Sequence, residues 1–399
     1  MPTDVSSKTR FFSESVIREM TRRALKCGAV NLAQGFPDFP APGQLKEAAK
    51  RAIDEDYNQY AVTHGSPNLR AAIAEKAHSY NGLECDPDLN ITVTCGATEA
   101  MVASLLAVIN PGDEVVIFEP FYENYGPDTI LAGATPKYVA LHGPGYSIYP
   151  AELGAAFGPR TKAIIVNTPQ NPTGKVFNRL ELETIAALCC RHDTLAITDE
   201  IYEHIIFGDT RHLSLATMPG MAERTITISG LSKTYSVTGW RLAYTIAGER
   251  LTSAIRKVHD FLTVGAPHPL QEAGATALRL PASFYTELAA MYQRKGAVLF
   301  EALSAAGLKC RAPQGAYYIM ADIGHLGFRD DFEAADFMLG EVGIAAVPGS
   351  SFYHHRELGR SILRFTFSKS DATLAAAAER LKSLDRKLAL YRNRQGDAV

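Results

Sequence analysis

Short apolar runs bounded by turn residues alternate with longer stretches of helical periodicity through most of this chain. Runs at 91–94, 114–118, 136–140, 163–167, 195–198 and 225–229 have the length and composition of strands. Between them, stretches such as 97–109 and 179–192 carry helical periodicity. Strand–helix alternation of this kind predicts an α/β layer around a mainly parallel sheet. A ligand is then expected at the carboxyl ends of the strands, where the loops lie.

The pattern changes after about residue 290. A helical stretch at 292–306 leads into shorter strand candidates at 317–321, 343–347 and 362–367, and then a closing helix. This reads as a second, α+β domain over 291–399, after a large domain over 41–290. The first 40 residues carry the turn signals Gly35, Pro37 and Pro40 and read as an arm that joins the smaller domain. No internal repeat, low-complexity tract or Pro/Ser-rich linker separates the parts.

Composition narrows the classes. The chain has 399 residues, 46% of them hydrophobic, and a formal net charge of -3, which leaves no electrostatic footprint for nucleic acid or an anionic membrane. The basic stretch 380–394 is interrupted by Leu381, Leu384 and Leu388 at helical spacing, as in a terminal helix with a solvated face. Its six cysteines form no CxxC pair and no zinc spacing, so they are expected to be reduced thiols of a cytoplasmic protein. The polar N-terminus lacks the apolar core of a signal peptide, and the longest apolar run, 101–109, is too short to span a bilayer.

Four segments carry chemistry. In Ser229-Gly230-Leu231-Ser232-Lys233, running on to Arg241, a lysine follows a buried strand within a loop of small residues. A desolvated lysine near other cations has the lowered pKa that Schiff-base formation needs, and Arg241 offers a fork for a phosphate. Taken alone, a solvated loop lysine and a surface arginine fit as well. Asp199-Glu200-Ile201-Tyr202 closes another strand, where a carboxylate can pair with a protonated ring nitrogen and a tyrosine three residues on can reach the same ring; capping the next helix is the plainer role. Asn167-Thr168-Pro169-Gln170-Asn171-Pro172-Thr173-Gly174 specifies a rigid loop that presents Asn171 as a donor, or is simply a turn. Gly96-Ala97-Thr98 opens a helix whose free N–H groups suit a phosphate, a weak signal by itself.

With these segments in place, the chain resembles the class I/II aminotransferases of the pyridoxal-phosphate (PLP) fold type I family, over nearly its whole length. The resemblance implies a large domain with a mainly parallel seven-stranded sheet flanked by helices, plus a smaller α+β domain. It implies that Lys233 holds PLP as a Schiff base and later moves the proton, and that Asp199 pairs with the pyridine nitrogen. Tyr202 and Asn171 would serve the phenolate oxygen, and Tyr122 would stack on the ring. Gly96, Ala97, Thr98, Ser232 and Arg241 resemble the phosphate cup. Arg364 is similar to the arginine that forks onto the substrate carboxylate, with the backbone of Gly35 beside it. Tyr60 corresponds to a tyrosine that reaches the phosphate of a neighbouring subunit, which implies a homodimer with shared active sites. Gly230 departs from the pattern: many relatives have a serine there, and Ser232 or Ser229 stands in question as its substitute.

The resemblance implies a ping-pong exchange between an L-amino acid and a 2-oxo acid. The segments 31–39, 119–122 and 256–259 look like those of the kynurenine, glutamine and methionine aminotransferase branch, whose donors are aromatic, sulfur-containing or amide-bearing. Phe36 is the expected wall of the side-chain pocket, with Ile17 and Tyr60 beside it. Arg22, Arg23 and His268 are cations that sequence alone does not place. An aspartate-type aminotransferase and a cysteine-conjugate β-lyase use the same core residues. A transcription regulator built on this fold needs a DNA-binding module, and only about 40 residues precede the large domain, fewer than the ~50 of an independent module.

Overall fold

The computed structural model describes residues 5–396. Its strands are β1 (Val30–Asn31), β2 (Ile91–Thr94), β3 (Glu114–Glu119), β4 (Thr135–Ala140), β5 (Thr161–Asn167), β6 (Leu195–Asp199), β7 (Thr225–Gly230), β8 (Ala243–Ile246), β9 (Lys309–Cys310), β10 (Tyr318–Asp322), β11 (Ile344–Ala345), β12 (Val347–Pro348) and β13 (Ile362–Thr366). β2 to β8 form one seven-stranded sheet in the order β2-β8-β7-β6-β5-β3-β4. All its strands run parallel except β8, which is antiparallel to β2 and β7. The mainly parallel sheet expected from the sequence is therefore present.

The central strands are buried on both faces, which is why they read as nearly continuous apolar runs. Val115, Ile117, Ile165, Ile197 and Ile226 enter the core on one face, and Val116, Phe118, Ile164, Val166 and Ala196 that on the other. That alternation is the two-residue period of a strand with both faces packed. The chain leaves β3 toward β4 on one side and returns to β5 on the other, so their carboxyl ends flank a topological switch point. Open α/β sheets bind ligands in such a crevice.

A four-stranded sheet, β12-β13-β10-β9, forms the smaller unit. Its core includes Leu363, Phe365, Phe367 and Leu374, and Ile17, Met20, Ala24 and Leu32 from the N-terminal arm pack into the same cluster.

Several predicted elements shift. The run 343–347 is two strands in two sheets: β11 pairs with β1, and β12 pairs with β13, with buried Ala346 between them. An apolar run buried throughout has no alternation to show that its partner changes. The helix predicted at 292–306 is Ala282–Ala305, begun just after Pro281. The closing helix is a pair, Asp371–Leu381 and Leu384–Gly396, and Leu381, Leu384 and Leu388 are buried in one core. β8 escaped the sequence reading because four residues directly after a motif loop give too short a pattern. Among the described residues, no helix is long and apolar enough to cross a membrane.

Candidate active site

Gly230 ends β7, and the next residues turn up out of the sheet, carrying Ser232 and Lys233 into a cavity of about 180 Å³. The Lys233 Nζ donates to the Gly35 carbonyl at 3.3 Å and stands 5.8 Å from the ring centroids of Tyr202 and Tyr317. Burial pushes this amine down to about 8; Asp199 opposes the shift, while Arg241 and Arg364 add to it.

Asp199 ends β6 beside Asn167 at the end of β5. Its buried carboxylate accepts from the Tyr125 hydroxyl at 2.7 Å and from the Ile201 N–H at 3.3 Å. Burial pushes the carboxyl pKa up, against the pull of those two bonds and of the Lys233 charge. Tyr202 lies 3.0 Å, hydroxyl to hydroxyl, from Tyr318. Asn171 donates its N–H to the Asn167 Oδ1 at 2.7 Å, and its own Oδ1 accepts from the Arg364 Nη1 at 2.8 Å, which leaves the Asn171 amide nitrogen as a donor for a ligand.

On another wall, the helix Ala97–Val108 begins with Ala97 and Thr98 lining the cavity together with Ser232 and Arg241. The first N–H groups of a helix have no intrahelical acceptor and attract anions. Gly96 precedes them at φ 87°, and a Cβ there would overlap the Arg241 guanidinium. Only glycine therefore lets the arginine lie against this helix start.

Gly230 has a different reason. A Cβ built on it would lie 2.6 Å from the Cβ and 2.8 Å from the Cα of Ala243, its partner in β8. Ser229 is engaged elsewhere, donating to Glu203, while Ser232 lines the cavity. Gly230→Ser is therefore expected to cost about 1–3 kcal/mol of stability through overpacking and to bring no gain in cofactor affinity. Thermal unfolding and PLP titration of the variant check both parts.

Arg364 is fully buried in β13, between the rings of Tyr318 at 4.4 Å and Phe352 at 4.7 Å. Besides Asn171 it donates to the Ala33 carbonyl, and its Nε has no partner. Its hydrogen-bond partners are neutral and its guanidinium lines the cavity. Burying an arginine without a hydrogen-bonded carboxylate is costly: burial lowers its pKa, and the Glu123 charge offsets only part of that.

Of the residues singled out in the sequence, Ile17, Gly35, Ala97, Thr98, Tyr122, Asn171, Asp199, Tyr202, Ser232, Lys233, Arg241 and Arg364 line this one cavity. Phe36 is not among the lining residues: Lys369 stands 3.9 Å from its ring centroid and donates to its carbonyl. Tyr60 is 85% exposed. Arg22 pairs with Glu14, Arg23 with Asp336, and His268 sits against Tyr57 and the Gln59 carbonyl. The sequence reading missed Arg18, Tyr125, Asp128, Asn167 and Tyr318 of the lining. Asp128 follows Tyr125 by three residues in the helix Tyr125–Ala132, a spacing that puts both on one face. Burial pushes the Asp128 carboxyl up to about 7.

The profile of the family described as aminotransferase class I and II matches residues 28–381. The chain is a class I/II aminotransferase. A probable N-succinyldiaminopimelate aminotransferase of Mycobacterium tuberculosis is 37% identical to it over 95% of this chain and 98% of its own length. The Escherichia coli methionine aminotransferase is 36% identical over 96% and 99%, and human kynurenine–oxoglutarate transaminase 1 is 36% identical over 91% and 94%. The solved M. tuberculosis N-succinyldiaminopimelate aminotransferase superposes with a TM-score of 0.93 at 38% identity, covering 96% of this chain and all of that one. The aminotransferase is a PLP-dependent enzyme, and three relatives of nearly equal identity carry three different substrate names.

The cavity fits the cofactor that the family implies. It joins a lysine of lowered pKa, a buried carboxylate oriented by Tyr125, and a helix start with an arginine in the cradle that a Cβ on Gly96 would fill.

Proposed function

We propose that this aminotransferase moves the amino group of an L-amino acid with an aromatic, sulfur-containing or glutamine-like side chain to a 2-oxo acid, with Lys233 as covalent anchor of PLP and as proton shuttle. When bound, PLP supplies an electron sink that stabilises negative charge at the substrate Cα. The observation that carries the reading is the meeting, in one cavity, of a lysine with a lowered pKa and a buried arginine that lacks an anionic partner.

In this reading Asp199, held by Tyr125, keeps the ring nitrogen protonated. Tyr202 and the Asn171 amide donate to the phenolate oxygen, and Tyr122 covers the ring. Thr98, Ser232, Arg241 and the N–H groups that open the helix at Ala97 hold the phosphate. Arg364 forks onto the substrate carboxylate beside Gly35 and so fixes the Cα–H bond relative to Lys233. Lys233 would take the proton from the substrate Cα and deliver it to the cofactor carbon bonded to the nitrogen. Water then replaces the nitrogen on Cα and frees the first 2-oxo acid. Exchange with a second substrate then runs these steps backward.

The same reading makes the enzyme a homodimer. Tyr60 stands exposed with Tyr57, Val62, Phe261 and Val264, an apolar set suited to a second copy. It assigns 41–290 to the PLP-binding domain and 291–399 to the small one, and the free thiols of all six cysteines fit a cytoplasmic home.

The lysine gives a pH test. An amine must be neutral to attack a carbonyl, and one that titrates at about 8 is roughly one-tenth neutral at pH 7 and nine-tenths neutral at pH 9. The apo protein is therefore expected to take up PLP about tenfold faster at pH 9 than at pH 7 and to level off above that, followed by the rise of the visible band. A rate still climbing through pH 10 identifies an ordinary lysine and overturns the assignment.

A further inference from the structure

We propose that Arg18 is a specificity-determining residue whose guanidinium reads an oxygen acceptor, a carboxylate or an amide carbonyl, at the far end of the substrate side chain. The inference rests on the transamination reading above and adds the class of side chain.

Arg18 lies in the first turn of the helix Val16–Cys27. A helix start carries positive partial charge from its free N–H groups and favours anions, so a cation there opposes the local preference. The acidic groups at this helix start are Glu19 in the first turn and Glu123 on the Ser15 cap, and neither pairs with the Arg18 guanidinium. Two other arginines of the same helix are paired, Arg22 with Glu14 and Arg23 with Asp336, whereas the Arg18 guanidinium has no ion pair or hydrogen bond among the described residues. It nevertheless lines the cavity, next to Ile17 and on the side of Tyr122, whose hydroxyl feels its charge. An unpaired cation on the wall of a ligand cavity is a candidate for function.

Glu123 lines the same cavity and is the anion expected to neutralise Arg18, yet the two do not pair. Glu123 is bound instead to the start of the helix. Ser15 caps it, accepting from the Arg18 N–H at 3.2 Å while its hydroxyl donates to a Glu123 oxygen. The negative charge thus sits where the helix favours it, and the guanidinium of Arg18 is left for a ligand.

Buried Arg364 and exposed Arg18 both line the cavity, beside the Lys233 and Arg241 assigned to the cofactor. In this proposal a substrate held at its α-carboxylate by Arg364 meets Arg18 with its side-chain terminus. Glutamate, 2-oxoglutarate and glutamine carry an oxygen there, whereas methionine offers no comparable acceptor.

Steady-state kinetics of the holoenzyme with L-glutamate, L-glutamine and L-methionine test the idea, in the native protein, in Arg18→Met, which keeps the apolar stem, and in Arg18→Lys, which keeps the charge. Arg18→Met is expected to lower kcat/KM for glutamate, or for glutamate and glutamine, by about tenfold or more, the worth of a charge-assisted hydrogen bond, with methionine within about twofold of native. A fall confined to glutamate identifies a carboxylate, and a fall for both identifies any acceptor oxygen. Arg18→Lys should recover part of the loss. Equal falls for all three donors, no change for any, or a native enzyme that turns over methionine but neither of the others overturns the proposal and leaves the transamination reading standing. A native enzyme that turns over no amino acid overturns that reading instead.

Discussion

Lys233→Ala is expected to lower kcat by about 10⁴-fold or more, because one substitution removes both the covalent anchor and the group that moves the proton. Fold and binding should survive it. The amine is buried and its pKa is pushed down to about 8, so at neutral pH the folded protein holds a cation at a cost that alanine does not carry. The apo variant should therefore melt no lower than the apo native protein and still bind PLP noncovalently through its phosphate. Turnover of a good donor, measured beside a melting curve, separates loss of chemistry from loss of fold. A variant that keeps a tenth of native activity contradicts the role given to Lys233.

Asp199→Asn should have the next largest effect. Asparagine preserves the shape and can still accept from Tyr125, so the change removes little but the charge. Losing the charged partner of a buried ion pair costs about 3 kcal/mol, which is about 100-fold in kcat/KM. The sign of the stability effect runs the other way. Burial raises the Asp199 carboxyl pKa, so the ionised form weakens the apo fold as pH rises through that value, and a neutral asparagine in its place relieves that cost at pH 7. The expected pair of results is low activity with an unchanged or raised apo melting temperature. Tyr125→Phe, which deletes one hydrogen bond to the same carboxylate, should cost about 1 kcal/mol, or several-fold, in kcat/KM. Low activity together with a collapsed melting curve in Asp199→Asn places the residue in the fold rather than in the chemistry.

The parts of the fold legible in the sequence are those set by short-range pattern. β3, β5, β6 and β7 announced themselves as bounded apolar runs because both faces of each strand are buried. The carboxyl ends of β5, β6 and β7 put Asn167, Asp199 and the Lys233 loop into one row, so three motifs separated by more than thirty residues each become neighbours. What the pattern hid depends on partners far away in the chain. The run 343–347 breaks at Ala346 because β1 and β13 claim its two halves. Phe36 is absent from the cavity lining, and its ring and carbonyl are contacted by Lys369, over three hundred residues on. Arg18, Tyr125 and Asp128 sit in helices whose periodicity is ordinary, and only the packing of those helices decides which side chains reach the cavity. Gly230, a puzzle in the sequence, becomes plain once β8 is seen lying against it.

The most direct test of the central claim is the visible absorbance of native protein and Lys233→Ala, each reconstituted with PLP and titrated first with an L-amino acid and then with a 2-oxo acid. The reading predicts, in the native protein alone, a lysine-dependent visible band that the amino acid bleaches to a near-ultraviolet band and the oxo acid restores. The same band and the same reversible bleaching in Lys233→Ala, or no band in the native protein at any pH from 7 to 9, would contradict it.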